Sequence, residues 1–208
     1  MRKLFALAIA LLFVSRAQAQ FLGQLTDARV QDQGRSFMGG YVGIYDDNAF
    51  SAFGQYRYGF APSVDGGFKL GFLDAGSETG IAVAGDARFQ LLHQKAADPL
   101  DLSLGGGVEL FFGSDFSIFS IQFNGMVSHR YVSASGRGMT PYGRVQVRIE
   151  RVGVDLGPPV GDVSDTEGEF GINAGGELEF AQGLSAVAEL QLDSKVDFGL
   201  IFGLNYRF

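Results

Sequence analysis

Val196-Asp197-Phe198-Gly199-Leu200-Ile201-Phe202-Gly203-Leu204-Asn205-Tyr206-Arg207-Phe208 is the stretch that decides the fold. Every even position in it is apolar or aromatic. The odd positions are Asp, Gly, Ile, Gly, Asn and Arg. Successive side chains of a β-strand point to opposite faces. The stretch therefore reads as a strand with one greasy face and one polar or tiny face.

The same rhythm continues towards the N-terminus. Leu184, Ala186, Ala188, Leu190 and Leu192 alternate with Ser185, Val187, Glu189, Gln191 and Asp193. Phe170, Ile172, Ala174, Leu178 and Phe180 alternate with Gly171, Asn173, Gly175, Glu177 and Glu179. No window of comparable length sustains a helical period of 3.6. Turn signals divide the chain into about ten such segments, near 37–46, 49–60, 66–74, 79–93, 100–112, 117–131, 140–154, 168–181, 184–193 and 196–208. Pro62, Pro99, Pro158 and Pro159 fall in the breaks, and Pro141 opens a strand, where a missing N–H is tolerated. Residues 20–35 carry no pattern and are expected to form a loose N-terminal arm ahead of a barrel over 36–208.

Met1 to Ala19 reads as an address. Arg2 and Lys3 precede an apolar run from Leu4 to Val14, and Ala17-Gln18-Ala19 follows the small-x-small rule for cleavage. These are the three parts of a secretory signal peptide. The run is too short for a spanning helix, which needs about 20 apolar residues.

Alternation also occurs in soluble barrels, where the apolar face is the inside. Here the polar face is interleaved with Gly105, Gly107, Gly171, Gly175, Gly199 and Gly203, while the apolar face carries bulky Phe, Leu and Tyr. A crowded interior needs small residues among its polar ones, and a lipid-facing exterior takes large apolar ones. The expected fold is all-β: a transmembrane antiparallel up-and-down barrel of about ten strands, with eight as the rival count. Gly203, on the interior face, is expected to tolerate alanine unless the interior is tightly packed there. The alternative is a soluble periplasmic barrel that binds a lipophilic ligand and keeps its Phe/Leu face inside.

Composition narrows the functions. The chain has 208 residues, 31 Gly, 20 Phe, no Cys and two His. That length is one domain. Without Cys there is neither a disulfide framework nor a Cys-ligated metal site. The formal charge of −7 argues against nucleic acid, whose phosphates call for clustered Lys and Arg. Ionisable residues on the polar faces form a candidate lumen set: Arg57, Lys69, Arg88, Arg130, Arg144, Arg148 and Arg207 against Asp86, Asp101, Glu109, Glu150, Glu177, Glu179 and Glu189. By this count the lumen is nearly neutral. Its charges either pair into a filling ladder or line a water path for small solutes.

Phe208, with Tyr206, Leu204 and Phe202 on one face of the thirteen-residue alternation, resembles the C-terminal signal of bacterial outer-membrane β-barrel proteins. The final hairpin carries this resemblance closely, and the rest of the chain shares only the rhythm. It implies the superfamily of small single-chain barrels in the outer membrane of a Gram-negative-type bacterium. Its partners would be outer-membrane lipid and the barrel assembly machinery, and its state a monomer. Both termini, and the arm, would then be periplasmic, and the break over 154–168 extracellular. Tyr56, Tyr58, Phe60, Tyr131, Tyr206 and Phe208 would form an interfacial girdle at the periplasmic end.

Some small barrels are enzymes, such as omptin-type proteases, which use Asp and His at the extracellular rim, and lipid A palmitoyltransferases. His93 and His129 fall at the opposite rim and on the apolar face, no Ser has a His placed as its base, and neither GxSxG nor a phosphate loop occurs. No catalytic residue, cofactor or metal site is expected. The acidic stretch Asp155–Glu169 lacks the DxDxDG spacing of a calcium loop and reads as a solvated loop.

Overall fold

The structure, a computed structural model, describes residues 24–46, 49–74, 79–94, 98–114, 116–134, 136–155, 162–194 and 198–208. The leader expected over Met1–Ala19 lies outside these residues, as do residues 20–23 of the arm.

The strands are β1 (Ser36–Tyr45), β2 (Phe50–Ala61), β3 (Val64–Asp74), β4 (Thr79–Leu92), β5 (Asp101–Phe112), β6 (Phe116–Ser128), β7 (Tyr131–Val132), β8 (Gly138–Asp155), β9 (Asp162–Ala181), β10 (Leu184–Asp193) and β11 (Gly199–Arg207). Each barrel strand pairs antiparallel with its neighbours, β1 pairs with β11, and β6 pairs with β8. The sheet is closed. Ten strands form its wall. The eleventh, β7, is a two-residue strand that pairs only with the start of β8. It explains the long connection between β6 and β8, where the sequence suggested that β6 ran on to residue 131. Ten strands, not eight, is the count.

The stagger of the closed sheet can be read from its register. From Tyr41 the pairing runs through Phe53, Gly71, Ala82, Phe111, Ile118 and Val152 to Asp165 on β9. In the other direction it runs through Gly203 and Val187 to Glu177 on the same strand. The strands are therefore tilted, as closure requires. At the seam Ser36 and Phe208 exchange both backbone hydrogen bonds, at 3.0 and 3.1 Å.

Two turns set the hairpins at the end that holds this seam. Pro62-Ser63 links Ala61 to Val64, so β3 starts two residues earlier than the sequence suggested. Gln182-Gly183 links β9 to β10, with Gly183 at φ +73°. That left-handed conformation favours glycine. At the other end β9 begins at Asp162, six residues ahead of the expected start, so Asp162–Glu169 is strand rather than loop.

The faces are sorted by alternation. Every barrel strand exposes large apolar side chains outward, among them Ile44, Tyr56, Leu70, Phe89, Leu104, Phe123, Val147, Ile172, Leu192 and Leu204. The inward face holds the charged and amide side chains and a small set of aromatics. The Phe/Leu face is therefore outside, the reverse of what a lipophile-binding soluble barrel requires.

Interior aromatics are seated over glycines on neighbouring strands. Tyr41 lies opposite Gly203, Tyr45 opposite Gly199, Phe53 opposite Gly71 and Tyr142 opposite Gly175. A Cβ at Gly203, Gly199 or Gly175 would run into the aromatic ring, and one at Gly71 would meet the Phe53 Cβ and the Ala52 carbonyl oxygen. At Gly203 it would also meet the Gly40 carbonyl oxygen at 2.6 Å. The interior is thus packed tight where the sequence left the question open. Gly40, on the outer face, has nothing within 4 Å of such a Cβ. Gly203→Ala should cost about 1–3 kcal/mol through overpacking, while Gly40→Ala should stay within about 0.5 kcal/mol. Urea titration of the refolded protein, read by the gel shift of the folded form, checks both.

Candidate functional site

The lumen is the candidate site. Alternation places its side chains, and adjacent strands bring opposite charges together. On β2, β3 and β4 five ionisable side chains form one fully buried network. Arg57 donates to Asp65 and to Asp86, each at 2.6 Å. Arg88 grips Asp65 with two nitrogens, at 2.6 and 3.0 Å. Lys69 stands 3.4 Å from Asp86. Glycine makes the space: a Cβ at Gly67 would lie 2.6 Å from the Arg57 guanidinium. Such two-pronged arginine–carboxylate bonds are the strong members of their class.

A second network joins β8, β9 and β10. Glu189 accepts hydrogen bonds from Arg144 at 2.6 Å, Tyr142 at 2.9 Å, Asn173 at 3.1 Å and Gln191 at 2.8 Å. Higher on the same strands Arg148 pairs with Glu150 at 2.8 Å, with Glu169, and with Asp193 at 3.6 Å. Ser120 of β6 donates to Glu150. Near the seam Arg207 forks onto Glu177, which also accepts from Ser185. Arg130 and Glu179 pair at 2.8 Å, both about a third exposed, at the rim.

Every lumen charge drawn from the sequence is thus accounted for. Arg57, Lys69, Asp86, Arg88, Asp101, Glu109, Arg144, Arg148, Glu150, Glu177 and Glu189 are buried, Arg207 is mostly so, and Arg130 and Glu179 mark the rim. The near-neutral balance does not hold. Among the described residues, nine buried acidic side chains face five buried basic ones. Sequence reasoning missed Asp65, Glu169, Asp193 and Asp27. Asp65 was hidden in Val64-Asp65-Gly66-Gly67, which has turn composition, although it shares its parity with Lys69. Glu169 was given to the acidic loop, although it shares its parity with Gly171. Asp193 follows Glu189 on the polar face.

Asp27 had no signal, because it lies in the arm. That arm is not loose. Gln24, Leu25, Thr26, Asp27, Ala28, Val30 and Gln31 are all buried. They are held by inward-facing groups of β1, β3, β4, β6 and β11. Tyr41 and Asn205 donate to the Leu25 carbonyl at 3.3 and 3.2 Å. Arg88 donates to the carbonyls of Asp27 and Arg29. The amides of Ala28, Val30 and Gln31 donate to Ser128, Gln90 and Asp65. Leu25 joins Tyr41, Tyr45, Phe53, Phe111 and Tyr142 in the buried apolar cluster. The pattern that built the barrel could not show this, because a segment bonded only by side chains has no period.

Several buried polar atoms find no hydrogen-bond partner among the described residues: both amide atoms of Gln24, Gln55 and Asn124, the amide nitrogen of Gln122, and Nε and Nη1 of Arg144. Burying such groups dry costs about 1–3 kcal/mol each. His93 sits near the seam end, 3.0 Å from the Gln90 amide and 3.4 Å from Asp101. His129 contacts the Pro99 carbonyl. Among the described residues no three His, Asp or Glu side chains converge as metal ligands.

No protein-family model matches the chain, and no curated protein matches it. Solved structures do. The N-terminal β-barrel domain of Pseudomonas aeruginosa OprF matches at 12% identity over 86% of this chain and 100% of that one, with a TM-score of 0.41. A KdgM porin in complex with disordered oligogalacturonate matches at 10% over 83% and 99%, with a TM-score of 0.46. An outer membrane channel from Pseudomonas putida F1 matches at 9% over 91% and 100%, with a TM-score of 0.35. At these values none of them transfers a substrate or a role to this chain.

The networks predict a contrast. Arg57→Met leaves Asp65 and Asp86 short of a partner in a dry interior and should cost about 3–5 kcal/mol. Arg130→Met at the rim should cost no more than about 1 kcal/mol. Denaturant midpoints of the two refolded variants test the difference.

Proposed function

We propose that this chain is an integral outer-membrane β-barrel of structural or surface type, with at most a narrow path for small solutes, and that it performs no catalysis. The observation that carries the reading is the inverted polarity of the wall. Large apolar side chains are exposed on all ten strands, while arginines, lysine and carboxylates are buried within. Water as the outer solvent would leave that apolar belt unpaired. A bilayer satisfies it, and the closed sheet leaves no backbone edge open to lipid.

Further features agree. Tyr56, Tyr58, Phe60, Tyr131, Tyr206 and Phe208 are exposed, with ring pairs Tyr58–Phe60 and Tyr206–Phe208, as an interfacial girdle needs. The end that bears this girdle and the seam is the periplasmic one in this reading, and the β8–β9 hairpin faces outward from the cell. The filled lumen favours a closed resting state. Among the described residues neither histidine is paired with a serine nucleophile; His93 meets Gln90 and His129 the Pro99 carbonyl. Outer-membrane lipid surrounds a monomer, and the assembly machinery reads Phe202, Leu204, Tyr206 and Phe208 on the last strand. The leader over residues 1–19 delivers the chain to the periplasm.

Three experiments test this. The protein should fractionate with outer membranes and migrate faster unboiled than boiled in SDS gels; recovery in the soluble periplasm without detergent contradicts it. Leu70→Arg, near the middle of β3 on the outer face, should cost about 2–4 kcal/mol on transfer into lipid. Deleting Phe208 should lower the amount inserted in cells yet leave refolding in detergent intact. Loss of both together would make Phe208 a packing residue only.

A further inference from the structure

The arm from Gln24 to Gln31 fills part of the lumen yet is joined to the wall in an unusual way. Its hydrogen bonds to the barrel run between a backbone group of the arm and a wall side chain, at Tyr41, Asp65, Arg88, Gln90, Ser128 and Asn205. Backbone pairing with the wall starts only at Gln33, which bridges to Gly59. The strand ladder would remain complete if residues 24–31 withdrew. So would the principal ion pairs, since Arg88 keeps its two-pronged grip on Asp65 and Arg57 its bonds to Asp65 and Asp86.

The seated arm also carries unmet demands. Gln24 and Thr26 are fully buried, and among the described residues their side-chain polar atoms have no partner. The Asp27 side chain is 3% exposed; its carboxylate accepts from the Arg29 amide at 3.0 Å, and the cation it pairs with, Arg29, lies on the arm itself at a distant 4.0 Å. Only Leu25, Ala28 and Val30 contribute apolar burial. Groups of this kind lose free energy when dried, and each regains water on leaving.

We propose that the arm is a displaceable plug, and that its withdrawal opens the lumen to small inorganic cations. This rests on the membrane-barrel reading above. The ion class follows from the wall. With Asp27 gone, eight buried acidic side chains still face five basic ones. The partly exposed Arg130, Arg207, Glu179 and Asp193 add equally to both sides. A low-dielectric channel with that excess attracts cations and repels anions. Gln55, Gln122 and Asn124, each less than a tenth exposed and each with amide atoms that no described residue meets, supply polar groups that water or a hydrated ion can meet. A ten-stranded wall that also carries Arg57, Asp65 and Arg88 on its inner face is narrow, which suits small ions.

The test compares the full chain with a variant lacking residues 24–31, each first shown to be folded by heat-modifiable migration and inserted in planar bilayers. The deletion should raise the conductance several-fold over the full chain. In a KCl gradient its reversal potential should move towards that of K⁺. A folded deletion variant that passes no more current than the full chain overturns the plug. A reversal potential at zero or towards that of Cl⁻ overturns the cation assignment. If the deletion does not fold, Ser128→Cys in the full-length chain decides. Its thiol lies under Ala28, whose amide is 3.1 Å from the native Ser128 oxygen. Reaction in the folded protein, faster with a cationic methanethiosulfonate than with an anionic one, supports the proposal; no reaction, or the reverse order, overturns it. Failure of the full chain to enter lipid at all would strike the membrane reading instead, before any current is measured.

Discussion

A sheet that closes on itself has an inside of fixed volume, and whatever points inward must fit it. That constraint governs this molecule. With ten tilted strands the interior is narrow. The chain meets the limit by pairing bulk with absence: Tyr41 over Gly203, Tyr45 over Gly199, Phe53 over Gly71, Tyr142 over Gly175, and the Arg57 guanidinium over Gly67. The high glycine content is therefore not looseness. At these positions it is the complement of the aromatic and arginine side chains that fill the lumen.

Filling a lumen with charge is costly unless each ion has partners. The strand register supplies them. Arg57, Asp65, Asp86 and Arg88 come from three consecutive strands, and Arg144, Asn173 and Glu189 from another three. The networks link neighbouring strands, so they reinforce the ladder that holds them. They do not use up the interior, and the arm occupies part of what remains. The same closure that buries the charges leaves a belt of bulky apolar side chains on the outer face, which a hydrocarbon solvent suits.

The barrel was legible in the sequence because period two is a direct imprint of strand geometry. The segments ending at Leu192 and at Phe208 showed both faces without ambiguity, and most lumen charges followed from parity alone. What stayed hidden lay where composition and parity disagree. Val64-Asp65-Gly66-Gly67 has the residues of a turn, yet Asp65 is the centre of the β2–β4 network. The stretch Asp162–Glu169 has the acidity of a loop, yet it extends β9. Residues 24–31 have no repeat, since they hold their place through bonds to distant side chains rather than through any periodic contact. Their burial turned the expected loose arm into part of the interior, and the added acids shifted the lumen from near neutrality to an acidic excess.

The chain contains no tryptophan, so one introduced indole reports its own surroundings. Emission from Phe72→Trp on the outer face and from Phe111→Trp on the inner face, in vesicles with bromine on the lipid acyl chains, measures directly which side meets lipid. The account predicts strong quenching by brominated lipid at position 72 and none at position 111. Quenching at 111, or quenching at 72 by an aqueous quencher in place of the lipid, would contradict it.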